Sequence, residues 1–114
     1  MTEAERLRHL EYLKDVEWSV SKGETRDYSA YVLDGDRMYV KIEPGGFVHK
    51  HKDHGLKTHY VIQSDNATSW VNGMRYNLEQ GSIYEFDSGL EHESFNEGSI
   101  DRIHYVVAGP YYPA

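Results

Sequence analysis

Six glycine-bearing turn signals punctuate the chain after its first thirty residues, and this punctuation constrains the fold more than any other feature. They are Asp34-Gly35-Asp36, Pro44-Gly45-Gly46, Asn72-Gly73, Gln80-Gly81, Ser88-Gly89 and Glu97-Gly98. The stretches around them read as short strands, predicted at 17–22, 27–33, 37–43, 47–53, 58–64, 67–72, 74–78, 82–87, 92–96 and 101–108. Asn72-Gly73, between Ser69-Trp70-Val71 and Met74-Arg75-Tyr76, is the strongest hairpin signal, because a type I′ turn needs positive φ at both positions and Asn-Gly tolerates it. Many short antiparallel strands with such turns predict an all-β jelly roll or double-stranded β-helix barrel. Ahead of them, Thr2 and Glu5 form a capping-box pattern, and Leu7, Leu10 and Leu13 recur at helical spacing. A short N-terminal helix over about residues 3–15, docked on the outside of the barrel, follows.

At 114 residues the chain is read as one domain, 1–114, with a single core. Ten Tyr support the β reading, and the absence of Cys excludes disulfides, thiolate metal sites and cysteine nucleophiles. A formal charge of −7, with scattered basic residues, argues against a nucleic-acid surface. No apolar run approaches the ~20 residues that span a bilayer. The start, Met1-Thr2-Glu3-Ala4-Glu5-Arg6, lacks the features of a secretion signal, so the expected location is cytoplasmic. Tyr111-Tyr112-Pro113 reads as a packing tail or an oligomer contact, and exposed sheet edges make a homodimer the expected assembly.

The chemistry-bearing residues stand in the order His51-x-Asp53, His92, Arg102. Two imidazoles and one carboxylate on one side of ferrous iron leave the opposite positions open for substrate and oxygen. In a strand, positions 51 and 53 point the same way. A guanidinium ten residues after His92 can take a carboxylate bidentately. The bland readings are a solvated polar strand around His51, a structural barrel histidine at 92, and a surface ion pair of Arg102 with Asp101, Glu93 or Asp87. Arg102, His104 and Val106 share one strand face and Ile103, Tyr105 and Val107 the other, with the inward face left open. Strand alternation puts His49 on the face of His51, so a site of His49, His51, His59 and His92 competes with the one containing Asp53. Trp70, Tyr84 and Phe86 read as barrel core.

The run from Gly81 to Asn96, with Gly81, Gly89 and His92, resembles the second cupin motif, with Asp87 where that motif usually has Pro. From about Val40 onward the chain resembles the aspartyl/asparaginyl β-hydroxylase group of iron(II)/2-oxoglutarate dioxygenases. The resemblance rests on Pro44-Gly45-Gly46-Phe47-Val48, His51-Lys52-Asp53, Thr58-His59-Tyr60-Val61-Ile62, and Phe86-Asp87-Ser88-Gly89-Leu90-Glu91-His92-Glu93 leading into Asp101-Arg102-Ile103-His104. It implies a cupin-like barrel in which His51 and His92, with Asp53, hold Fe(II). It also implies that Arg102 grips the distal carboxylate of 2-oxoglutarate and that His59 contacts this co-substrate. The implied activity is hydroxylation of an amino-acid side chain, free or within a peptide or protein. Two alternatives stay open: a metal cupin enzyme (isomerase, lyase or dioxygenase) using His49, His51, His59 and His92, and a metal-free binding barrel.

Overall fold

The computed structural model describes residues 1–112, so Pro113, in the tail, lies outside the described residues. A helix α1 (Glu3–Tyr12) and a single 3-10 turn at Leu13–Asp15 precede ten strands. These are β1 (Ser19–Gly23), β2 (Arg26–Val32), β3 (Arg37–Ile42), β4 (Phe47–His51), β5 (Leu56–Gln63), β6 (Ala67–Val71), β7 (Met74–Asn77), β8 (Ile83–Asp87), β9 (His92–Asn96) and β10 (Arg102–Ala108). Each falls on a strand expected from the turn punctuation, within two residues at every boundary. The two-residue difference that matters is at the end of β4, which stops at His51 and leaves Asp53 in a loop.

All the pairings are antiparallel, in the order β7-β6-β9-β4-β2-β3-β10-β5-β8, with β1 added to β2. The sheet is rolled: Ser69 on β6 and Tyr84 on β8, near opposite ends of that order, line one cavity. This is the double-stranded β-helix predicted from the sequence. Asn72 (φ 50°) and Gly73 (φ 77°) form the expected hairpin turn, with Val71 opposite Met74. Gly46 is required for another reason, since a Cβ there would sit 2.7 Å from the Asp27 carbonyl oxygen.

Alternation along the strands gives the sheet two distinct faces. Val40, His59 and Arg102 face the cavity, whereas Tyr39, Ile62 and Ile103 face outward under the N-terminal segment. The outer cluster closes on Leu13, which is 7% exposed, with Leu10, Val16 and Trp18 around it. Burying a leucine of this kind contributes about 1.5–3 kcal/mol. Of the helix leucines only Leu10 is half-buried, while Leu7 is exposed; nearer the start, Arg6 Nη1 donates to the Ile62 carbonyl on β5 at 3.3 Å. At ~100° per residue, Leu7 and Leu13 lie about 120° apart around the axis, so one flat contact cannot cover both. At its start, Thr2 Oγ1 accepts from Glu5 N–H at 3.1 Å and donates to the Glu5 carboxylate, which satisfies one orphan amide.

Candidate metal centre and cavity

His51, Asp53 and His92 each offer one ligand atom, and these atoms all lie within 4.8 Å of one another at the mouth of the cavity. The three positions arise differently. His92 starts β9, directly opposite His51 at the end of β4. Between Val48↔Ser94 and His51↔His92, β4 spends three residues against two on β9, so it carries a β-bulge. The bulge puts His51 on the cavity side with Val48 and leaves His49 exposed, its ring 5.2 Å from that of Phe47. Alternation had put His49 on the face of His51; the extra residue breaks that period. The four-histidine site is therefore not assembled around His49.

Asp53 reaches the site from a loop and not through strand alternation. Its backbone N–H donates to the Ser88 carbonyl at 2.8 Å. Ser88 is fully buried and donates both its N–H and its hydroxyl to the Gly55 carbonyl, at 2.9 and 2.6 Å. The turn after β8 thus pins the loop so that Asp53 Oδ2 lies 3.4 Å from His51 Nε2 and 3.6 Å from His92 Nε2. Lys57 Nζ stands 3.7 Å from the same oxygen.

Proton positions follow from the partners. His51 Nδ1 lies 2.7 Å from the His49 carbonyl, and His92 Nδ1 lies 2.8 Å from the Leu90 carbonyl. A carbonyl only accepts, so both Nδ1 atoms carry the hydrogen, and in the neutral rings both Nε2 atoms are lone pairs. Burial, ahead of the neighbouring His51, holds His92 below its ordinary pKa and favours that neutral ring. Two lone pairs and a carboxylate oxygen therefore converge on one point. Bonds of about 2.1 Å to a shared cation set ligand–ligand edges of roughly 3–3.5 Å, close to those seen. Outward N–H groups held by carbonyls are the usual way in which imidazole ligands are oriented. The residues fit a divalent transition metal.

The inner end of the cavity has the opposite character. Arg102 is 3% exposed on β10; its Nε donates to His104 Nε2 at 2.9 Å and its Nη2 to Ser69 Oγ at 2.8 Å. Its Nη1 is buried without a partner, and no carboxylate pairs with it among the described residues. The surface ion pairs with Asp101, Glu93 or Asp87 are thus not formed: the face of Arg102, His104 and Val106 is the inward one. His59 meets His104 through their Nδ1 atoms at 3.0 Å and stacks on Tyr84 at 4.9 Å. Burial first, then the Arg102 charge, lowers His59 to about 3, and the same causes take His104 well below its usual value. Burial pushes the Tyr84 phenol up to about 12. All three are uncharged at neutral pH.

The cavity measures about 160 Å³ and is walled between its ends by apolar side chains such as Val48, Val71, Phe86 and Val106. Phe86 bridges the two ends, with its ring 5.1 Å from both His92 and His59. Sequence reasoning missed His104, Ser69 and Lys57 as cavity residues. The signal for His104 was present, because it shares the strand face of Arg102; Ser69 carried none. Tyr84 and Phe86, read from the sequence as barrel core rather than pocket lining, face the interior and line the cavity. Trp70 instead borders a groove beside the mouth with Lys50 and Glu91. Among the described residues, no helix is long and apolar enough to cross a membrane.

Comparison with known proteins agrees with this architecture. Over 85% of each chain, at 17% identity, the structure superposes with a TM-score of 0.68 on a cupin-like protein from Thermotoga maritima. A second structure from that organism, described as a predicted oxalate decarboxylase, matches with a TM-score of 0.60 at 21% identity, over 78% of this chain and 96% of the other. The cupin domain of an XRE family transcriptional regulator from Enterobacter cloacae matches with a TM-score of 0.61 at 17% identity, over 74% and 98%. At these identities the likeness concerns the fold alone, which serves enzymes and regulators alike. No curated protein matches the chain by sequence. The family model described as a cupin domain matches residues 38–109, which hold both ends of the cavity, and the chain belongs to the cupin family.

Proposed function

We propose that this cupin is an iron(II)/2-oxoglutarate-dependent dioxygenase that hydroxylates an amino-acid side chain. One observation carries the reading: a two-histidine, one-carboxylate acceptor set opens onto a cavity whose far end holds a buried guanidinium with an unsatisfied donor. That donor set is the one that suits non-haem ferrous iron. Bound by His51, Asp53 and His92, iron with 2-oxoglutarate supplies oxygen activation and an oxidant for an aliphatic C–H bond. The chain's own part is to bind, orient and exclude water. Arg102 Nη1–H donates to the distal carboxylate of the keto acid, which offsets the several kcal/mol that an unpaired buried charge costs. His59 lies beside it as a second contact, and Lys57 holds positive charge beside Asp53 at the mouth. The apolar walls keep the reacting region dry and strengthen both electrostatic contacts.

A metal-dependent lyase acting on a small dicarboxylate is the second reading, favoured by the same metal ligands and the same acid-binding end. Anaerobic mixing with iron(II) and 2-oxoglutarate distinguishes the two. The oxygenase reading expects a weak visible charge-transfer band, absent in His51→Ala, and oxygen-dependent release of succinate. No band, with His51→Ala indistinguishable from wild type, would overturn it. Oxygen-independent loss of carbon dioxide from a dicarboxylate would support the lyase.

A further inference from the structure

The inner end contains a directional chain of hydrogen bonds that the proposed activity does not by itself require. A guanidinium has no acceptor and stays protonated, so the Arg102 Nε–H must donate to His104 Nε2. His104 Nε2 is then a lone pair, and its ring carries the hydrogen on Nδ1. The 3.0 Å contact between the two Nδ1 atoms needs one hydrogen, which His104 supplies. His59 Nδ1 accepts it, so the hydrogen of His59 sits on Nε2, the ring nitrogen turned away from His104. Among the described residues no protein group takes this Nε2, and His59 lines the cavity. Arg102 Nη1 is likewise without a partner.

We propose that His104 is a positioning residue: held by Arg102, it locks His59 as a donor, so the inner end offers the Arg102 and His59 N–H groups together and selects a carboxylate over its neutral amide or ester. The selection has a physical origin. An ester or amide carbonyl presents one acceptor atom without charge, and replacing the charged partner leaves a buried guanidinium uncompensated. Were His59 the other tautomer, its Nε2 lone pair would face the carboxylate and repel it. The reading above enters only through the identity of the acid; the hydrogen-bond direction stands without it.

The test uses the full chain labelled with ¹⁵N-histidine and needs neither metal nor turnover. Long-range ¹H–¹⁵N correlation at neutral pH is expected to show His104 protonated at Nδ1 and His59 at Nε2. Glutarate, a five-carbon diacid lacking the keto group, is expected to shift the His59 Nε2–H resonance and to bind on the order of tenfold more tightly than its diamide, which has no carboxylate to offer. In His104→Asn the side-chain amide keeps a donor facing His59 Nδ1, and both the tautomer and the preference persist. In His104→Leu both are lost. A His59 ring protonated at Nδ1 in the wild-type protein, or equal affinity for diacid and diamide, would overturn the proposal. A lock present in a protein that never consumes 2-oxoglutarate would leave it standing and sink only the oxygenase assignment.

Discussion

At the mouth of the cavity His51, Asp53 and His92 turn acceptors toward one point, while at the inner end Arg102 and His59, linked through His104, turn donors toward another. Both ends are rich in histidine, yet the same side chain plays opposite parts. The difference lies in what each Nδ1 faces. At the mouth it faces backbone carbonyls, which force the hydrogen onto Nδ1 and free Nε2 as a ligand. At the inner end a guanidinium sets the direction, and His59 is left with its hydrogen on Nε2. Histidine content alone therefore predicts neither metal binding nor acid binding; the first hydrogen-bond partner decides.

Acid should separate the two ends most strongly. His59, at about 3, and His104 are neutral in the folded chain but titrate near 6.5 when unfolded. Below pH 6.5 the unfolded state binds more protons, so stability is full above that value and is lost as pH falls toward 3. Each such histidine contributes a slope of about 1.4 kcal/mol per pH unit. Urea unfolding followed between pH 7 and 4 should show a steep decline that is shallower in His104→Leu; a flat profile would contradict the buried neutral pair.

His92→Ala removes an acceptor and should weaken Mn(II) or Fe(II) binding by ~100-fold or more, since even partners one bond further out are worth 10–100-fold. Titration calorimetry reads this directly, and glutarate binding should be unaffected. Arg102→Met is the complementary change. It should cost roughly 10–100-fold in affinity for 2-oxoglutarate, leave metal binding in place, and hold or raise the melting temperature, because a buried unpaired charge is gone. A melting temperature that falls by several degrees would show that the guanidinium is structural. The smallest effect is expected for His49→Ala. His51 is held by the backbone oxygen of residue 49, and the His49 ring is outside the cavity, so metal affinity should stay within about twofold.

Much of this arrangement was legible beforehand. Gly-bearing turns are local chemistry, which is why ten strands and the Asn72-Gly73 hairpin could be placed from residue type alone. His51, Asp53, His92 and Arg102 could be singled out by kind and order, and His104 could be tied to Arg102 by alternation. What local pattern could not reach depended on partners distant in sequence. The bulge that turns His49 out of the site comes from how β4 pairs with β9. The placement of Asp53 comes from a loop clamped by Ser88, 35 residues on. The inward face of β10 was settled only when β3 and β5 flanked it and the N-terminal segment covered the other side. The direction of every histidine proton waited on the atom that folding set beside it. Strand period and turn chemistry are written in neighbouring residues; register, bulges and hydrogen-bond partners exist only once the sheet has rolled up.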